Sequence, residues 1–197
     1  MFLGELDPQA IGPAIEFATH YEPTPLADFE VLMKSVPPGF IFSDATFVDV
    51  GSGMGRVLML ASRYGFKQVV GVEISPALNE IARENIAVFK DAGSLCRDIR
   101  LVCADAATFA LPHGNLLLYL YNPFEGPLFA QFIMRVLGET DGEVVLLYHT
   151  PTQRDEIEKY PVFTLHAETD CGVVYRKELA QEERRVDGFI ARAHFEM

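Results

Sequence analysis

Short apolar segments alternate with helical patterns from about residue 45 onward in this chain of 197 residues. A segment that is apolar along its whole length must be buried on both faces, as in a parallel sheet covered by helices. The strand-like segments are 46–50, 68–74, 99–104, 115–121 and 143–149. The segments with an apolar stripe at helical spacing are 54–64, 76–89 and 127–137. This alternation predicts an α/β fold, a doubly wound sheet of about seven mostly parallel strands.

The two ends of the chain depart from this alternation. Segments 163–168 and 172–179 are predicted to be strands joined by a short turn, hence an antiparallel closing hairpin. The first forty residues hold half of the 12 prolines, which favours short helices and turns. Thr24 followed by Pro25 is typical of a helix N-cap and first helical residue. We expect an N-terminal helical segment over 1–40 and a main domain over 41–197.

Composition excludes several classes of partner and location. A net charge of −12 repels phosphate backbones, so nucleic acid is not expected as a partner. The longest apolar runs are strand-sized, well short of the roughly 20 residues that cross a bilayer, so no membrane span is expected. Three cysteines without paired spacing favour a reducing compartment, and the N-terminus lacks the basic region of a secretory signal. A cytoplasmic location is therefore expected.

A glycine-rich turn follows the first strand. Asp49 precedes Gly51, Gly53 and Gly55, and glycines at such a turn let backbone N–H groups approach a ligand closely. Glu73 ends the next strand, about 20 residues later, where a carboxylate can accept hydrogen bonds from both hydroxyls of a ribose. A dinucleotide fingerprint would need a third glycine where Arg56 stands. This mismatch, together with the absence of a Tyr-x-x-x-Lys pair, argues against a nicotinamide-dependent oxidoreductase.

These motifs resemble those of the class I S-adenosylmethionine-dependent methyltransferases, which have a Rossmann-like fold. The resemblance implies that the Asp-x-Gly-x-Gly-x-Gly turn holds the methionine portion of S-adenosylmethionine and that Glu73 holds its ribose. In the same family an Asp after the third strand, with the next backbone N–H, binds adenine, and here these are Asp105 and Ala106. The implied cofactor-binding residues are Tyr21, Thr24, Asp49, Gly51, Ser52, Gly53, Gly55, Glu73, Ile74, Asp105, Ala106 and Asn122.

The fourth strand ends in Asn122-Pro123-Phe124. This resembles a shortened form of the Asn/Asp-Pro-Pro-Tyr/Phe motif of amino methyltransferases, with one proline missing. The resemblance implies that the Asn122 amide oxygen aligns the acceptor nitrogen and that the Phe124 ring packs against it. All three residues are therefore catalytic candidates. An Asn-Pro turn that merely closes the strand is the alternative.

The N-terminal residues Tyr21 and Thr24 resemble a loop that folds over the cofactor in small bacterial methyltransferases and in the non-SET histone-lysine methyltransferases. The segment 1–40 would then cover the cofactor site, and 41–197 would be the methyltransferase domain. The expected reaction is N-methylation of a protein side chain or small amine. A catalytically silent sensor or scaffold that binds S-adenosylmethionine is the alternative.

His149 either faces the pocket or is structural, and the histidines show no metal-ligand spacing.

Overall fold

The computed structural model describes residues 22–89 and 95–178. Predictions that concern residues 1–21, 90–94 and 179–197 lie outside this part of the chain. They include the role of Tyr21 and most of the N-terminal segment.

Seven strands form one mixed sheet. They are β1 (Ala45–Val50), β2 (Gln68–Glu73), β3 (Ile99–Cys103), β4 (Asn115–Leu120), β5 (Val144–His149), β6 (Phe163–Thr169) and β7 (Gly172–Lys177). Their order across the sheet is β3-β2-β1-β4-β5-β7-β6. The first five are parallel, whereas β7 runs antiparallel to both β5 and β6. The predicted doubly wound, Rossmann-like sheet with an antiparallel closing hairpin is confirmed.

Helices cover both faces of this sheet. They are α1 (Leu26–Lys34), α2 (Arg56–Ala61), α3 (Pro76–Phe89), α4 (Pro127–Glu139) and α5 (Arg154–Glu158), with short 3-10 turns at Phe42–Asp44 and Ser62–Tyr64. One apolar core joins α4 and α5 to the sheet, and the other joins α1, α2 and α3 to the opposite face. No helix in the described ranges has the length and apolar character that a membrane crossing requires.

Several helix boundaries differ from those that the sequence predicts. Helix α2 begins at Arg56, because the preceding Gly55 is left-handed, and its last turn tightens to a 3-10 turn that ends at Gly65. Helix α4 runs one residue past Gly138, the predicted stop, because Gly138 does not adopt a left-handed conformation. Thr24 was expected to cap α1, but its hydroxyl lies 3.0 Å from the hydroxyl of Tyr119. Helix α5 was not predicted.

Gly71 in β2 marks a close approach between the sheet and the turn after β1. A Cβ atom at this position would lie 2.5 Å from Leu58 Cδ1 and 2.7 Å from Ser52 Oγ. We therefore predict that Gly71→Ala lowers the free energy of unfolding by about 1–3 kcal/mol, since neither neighbour can withdraw without disturbing the core. Chemical denaturation measures this change.

Gly138→Ala is the matched control. A Cβ there meets no atom within 4 Å, and the position is helical, so alanine should be neutral or stabilising by up to about 1 kcal/mol. Equal stability of the Gly71→Ala variant and the native chain would contradict the close packing.

Candidate active site

A pocket lies at the carboxyl ends of the parallel strands. In an open α/β sheet this is the edge where ligands bind, next to the point at which the strand order reverses, here between β1 and β4. Most of the predicted site residues line it: Thr24, Asp49, Gly51, Ser52, Glu73, Ile74, Asp105, Ala106, Pro123 and Phe124. Gly53, Gly55 and Asn122 are not among its lining residues, and Tyr21 lies outside the described chain.

The glycine turn after β1 forms one wall of the pocket. Gly51, Gly53 and Gly55 all have left-handed backbone, with φ of 85°, 51° and 79°. Side chains other than glycine are strained in this region, which explains the glycine at each alternate position. At Gly51 a Cβ atom would also lie 3.0 Å from the Cβ of Pro123, so the turn packs directly against Pro123. Because this turn lacks side chains at the glycines, its backbone can lie close to a ligand in the pocket.

Glu73 joins this turn to the end of β2. Its carboxylate accepts hydrogen bonds from the backbone N–H of Gly53 at 2.9 Å and of Ser75 at 2.8 Å. The residue is buried, and burial raises the pKa of the Glu73 carboxyl although these hydrogen bonds act against the rise. A carboxylate has about four acceptor positions, so Glu73 keeps acceptor capacity for a ligand in the pocket.

Asp49 lies beside Glu73 and is a second buried acid, only 4 % exposed. Burial, together with the negative charge of Glu73, holds the pKa of Asp49 well above its usual value. Its carboxylate makes no hydrogen bond to any residue of 22–89 or 95–178, yet it lines the pocket. Two neighbouring buried carboxylates, one of them without a partner in the described chain, form a site that favours a cation.

The turn after β3 adds a third acid. The Asp105 side chain accepts a hydrogen bond from the Ala107 N–H at 2.8 Å, so it caps its own turn, while also lining the pocket beside Ala106. Its position fits the expected adenine subsite, but the geometry equally fits a turn cap. The adenine role of Asp105 stays a prediction.

The segment before α1 closes the pocket on the side of β1 and β4. Arg56 Nε donates to the Thr24 carbonyl oxygen at 2.7 Å, and the Thr24 and Tyr119 hydroxyls are hydrogen-bonded at 3.0 Å. Burial raises the pKa of Tyr119, so the phenol keeps its proton at neutral pH. Tyr121, two residues further on, also lines the pocket.

Sequence reasoning missed four polar lining residues, Glu22, Arg56, Tyr119 and Tyr121, as well as six apolar ones. The spacing of Tyr119 and Tyr121 could have identified them as lining residues. Positions two apart on a strand share a face, and both interrupt an otherwise aliphatic run.

Asn122 faces a loop and not the pocket. Its amide nitrogen donates to the Thr150 carbonyl at 2.8 Å, and its amide oxygen accepts from the hydroxyls of Tyr148 and Thr152, each at 2.9 Å. Asn122 and Thr150 both have positive φ, of 45° and 48°, which is strained for residues other than glycine. This is the geometry of the strand-closing alternative, whereas Pro123 and Phe124 do line the pocket. Alignment of an acceptor by Asn122 stays a prediction.

His149, which ends β5, lies behind the pocket wall. It is 3 % exposed; its Nε2 lies 3.1 Å from the Asp28 carboxylate, and its ring packs edge-on against Tyr121 at 4.2 Å. The histidine is not among the residues that line the pocket. This geometry is that of the structural alternative.

Two curated relatives are similar to part of the chain. The ribosomal protein L11 methyltransferase of Desulfosudis oleivorans is 32% identical over 112 residues, which are 54% of this chain and 35% of the relative. That of Burkholderia multivorans is 36% identical over 83 residues, 40% of this chain and 26% of the relative. The chain thus spans about a third or less of the length of these relatives.

Solved structures share the fold over more of the chain. An RNA methyltransferase from Salinibacter ruber, solved with S-adenosyl-L-homocysteine, has a TM-score of 0.52 and 20% identity, covering 81% of this chain and 95% of its own. A precorrin-6y C5,15-methyltransferase from Geobacter metallireducens has a TM-score of 0.60 and 18% identity, covering 84% and 95%. At these identities the likeness shows the fold alone.

The Asn122 contacts generate a prediction about stability. Asn122→Ala removes hydrogen bonds to Tyr148 in β5 and to two residues of the following loop, Thr150 and Thr152. It leaves the Thr150 carbonyl and the Tyr148 hydroxyl without this partner. We expect the free energy of unfolding to fall by about 2–4 kcal/mol, measured by chemical denaturation. Any loss of activity should be proportional to the loss of folded protein. A variant of native stability whose turnover alone falls would instead support alignment of the acceptor.

A family model supplies the last comparison. Residues 47–132 match the model described as a methyltransferase domain. They span β1 to the middle of α4 and so contain the glycine turn, Glu73 and Asp105. Together with the Rossmann-like fold, this match confirms the resemblance expected from the motifs: residues 47–132 are similar to the methyltransferase domain of class I, S-adenosylmethionine-dependent methyltransferases.

Proposed function

We propose that this chain transfers a methyl group from S-adenosylmethionine to an amine nitrogen of a protein side chain or a small molecule. The observation that carries the proposal is the pair of buried carboxylates, Asp49 and Glu73, in the pocket at the end of β1 and β2. Two acids held out of water in one pocket are costly unless a cation binds between or beside them.

The residues present fit this cofactor, which carries an ammonium and a sulfonium group. Asp49, with no hydrogen-bond partner in the described chain, would hold the ammonium group. Glu73 has acceptor positions left for the ribose hydroxyls. Asp105 and Ala106 lie where the adenine would bind, and the glycine turn permits close backbone approach. When bound, the cofactor supplies a methyl group that its sulfonium already activates.

The protein's own contribution is to align the acceptor and exclude water. Pro123, Phe124 and Tyr121 also line the pocket. Burial and a hydrogen bond with the Glu22 carboxylate raise the pKa of Tyr121 to about 12, so its hydroxyl stays neutral. A neutral aromatic wall beside an acid suits a cationic amine, which loses its proton more readily when desolvated.

Charge supports an amine over a nucleic acid as the acceptor. Four carboxylates line the pocket in the described chain, those of Glu22, Asp49, Glu73 and Asp105, against the single guanidinium of Arg56. The whole chain carries a net charge of −12. Such a surface attracts basic protein segments and repels phosphates. The relatives described above are likewise named for a protein acceptor, ribosomal protein L11.

The N-terminal segment contributes to the same site. Glu22, Pro23 and Thr24 line the pocket, and Thr24 is held to α2 and β4 by two hydrogen bonds. These contacts support the proposal that residues 1–40 cover the cofactor site of a methyltransferase domain over 41–197.

Ligand-dependent stability tests the cofactor assignment. S-adenosylhomocysteine at about 100 times its dissociation constant should stabilise the fold by about 2.7 kcal/mol and raise Tm by several degrees. NAD and NADP should not. A Tm shift with NAD alone would favour the oxidoreductase alternative.

Transfer of labelled methyl groups tests the acceptor. We expect label on a lysine-rich protein pool, stable to mild base, because N-methyl groups survive conditions that hydrolyse carboxylate methyl esters. Label on ribosomal RNA and not on protein would contradict the amine proposal. Binding of S-adenosylhomocysteine without transfer to any pool would favour the silent sensor.

The raised pKa of Asp49 yields a second prediction. A carboxyl whose folded pKa is raised makes the fold less stable as pH rises from its unfolded pKa through its folded pKa, so burial of Asp49 destabilises the protein at neutral pH. Asp49→Asn should therefore raise Tm in the absence of ligand. It should also weaken S-adenosylhomocysteine binding about tenfold or more, through loss of a charged partner.

Calorimetry and thermal melts measure both effects. Asp44→Asn, at an exposed aspartate in the turn before β1, is the control and should change neither. A destabilised Asp49→Asn variant, or one with native affinity, would contradict the assigned role.

A further inference from the structure

Arg56 is the first residue of α2 and lines the pocket directly after the glycine turn. Its Nε donates to the Thr24 carbonyl oxygen at 2.7 Å. A guanidinium has five N–H donors, so one hydrogen bond leaves the two terminal nitrogens available. Neither terminal nitrogen makes a hydrogen bond or ion pair within 22–89 and 95–178. The side chain is exposed, so a ligand can reach these nitrogens from the pocket.

The charges around the pocket single out this guanidinium. Every other charged side chain in its described lining is a carboxylate, namely Glu22, Asp49, Glu73 and Asp105. S-adenosylmethionine carries one carboxylate, on the same carbon as its ammonium group. Such an anion is repelled by each of these acids and attracted by Arg56. Guanidinium and carboxylate also match in shape and form two parallel hydrogen bonds.

Strand order places Arg56 at the correct end of the ligand. Across the sheet, β3, β2 and β1 are adjacent, and they present Asp105, Glu73 and Asp49 in that order. An adenine at β3 and a ribose at β2 leave the amino acid end of the cofactor at β1. There Asp49 lies before the glycine turn and Arg56 directly after it.

We propose that Arg56 binds the carboxylate of the amino acid portion of the cofactor while its Nε holds the segment at Thr24 over the pocket. Asp49 and Arg56 then bind the two opposite charges of one amino acid. This inference rests on the proposed function. It assigns a binding role to a residue that the glycine motif itself does not include.

Two ligands that differ only in the carboxylate test the proposal by calorimetry. They are S-adenosylhomocysteine and its decarboxylated analogue, 5′-deoxy-5′-(3-aminopropylthio)adenosine. Arg56→Gln should weaken binding of S-adenosylhomocysteine about 10- to 100-fold and change that of the analogue less than about threefold. Arg56→Lys, which keeps the charge but loses the two-pronged geometry, should show an intermediate loss. Arg83→Gln, at an exposed arginine of α3 that pairs with Glu80, is the control and should change neither affinity.

Other outcomes overturn the inference in distinguishable ways. Equal losses for both ligands in Arg56→Gln would show that Arg56 acts only by holding the segment at Thr24. Unchanged affinity for both would show that Arg56 does not act in binding. If the native chain binds neither ligand, the proposed function fails together with the inference.

Discussion

The shape of the pocket depends on the carboxylate of Glu73. This group accepts hydrogen bonds from two turns, at Gly53 after β1 and at Ser75 after β2, and so fixes two adjacent strand ends to each other. The sequence motif indicates a ribose acceptor at this position, but the structure adds a second role. Because the same carboxylate holds the glycine turn in place, its loss would alter the shape of the pocket as well as remove a ligand contact. Binding and local folding are coupled at this residue.

Burial of Asp49 beside Glu73 lowers the stability of the ligand-free fold. Each negative charge is desolvated, and each raises the energy of the other, so the pKa of Asp49 is held well above its usual value. A stability-optimised core would not keep such a pair. In the proposed site a cationic ligand would compensate the negative charge of the two carboxylates. Active sites generally lose some stability in return for function. In the proposed site, Arg56 would make this acidic pocket compatible with the ligand's own carboxylate.

Local patterns predicted the sheet and the motif positions because both depend on residues close in sequence. Full burial demands continuous apolar strands, as in β4 and β5, and left-handed turns demand glycine. What escaped prediction depends on distant partners. Thr24 bonds Tyr119 instead of capping α1. For Asn122 the sequence left both alignment of an acceptor and closure of the strand open, because its bond to Thr150 joins residues 28 positions apart. Helix α5 has five residues and one buried side chain, Ile157, so it shows no periodic pattern.

The central claim is that a cation binds against the two buried carboxylates. Proton release during binding tests it most directly, by titrating S-adenosylhomocysteine calorimetrically in buffers of different ionisation enthalpy between about pH 8 and about pH 5. A cation beside Asp49 lowers the raised pKa of that carboxyl. The account therefore predicts a net release of protons on binding at pH values between the lowered and the raised pKa of Asp49, and no such release in Asp49→Asn. Binding with proton uptake, or with release that persists in Asp49→Asn, would contradict it.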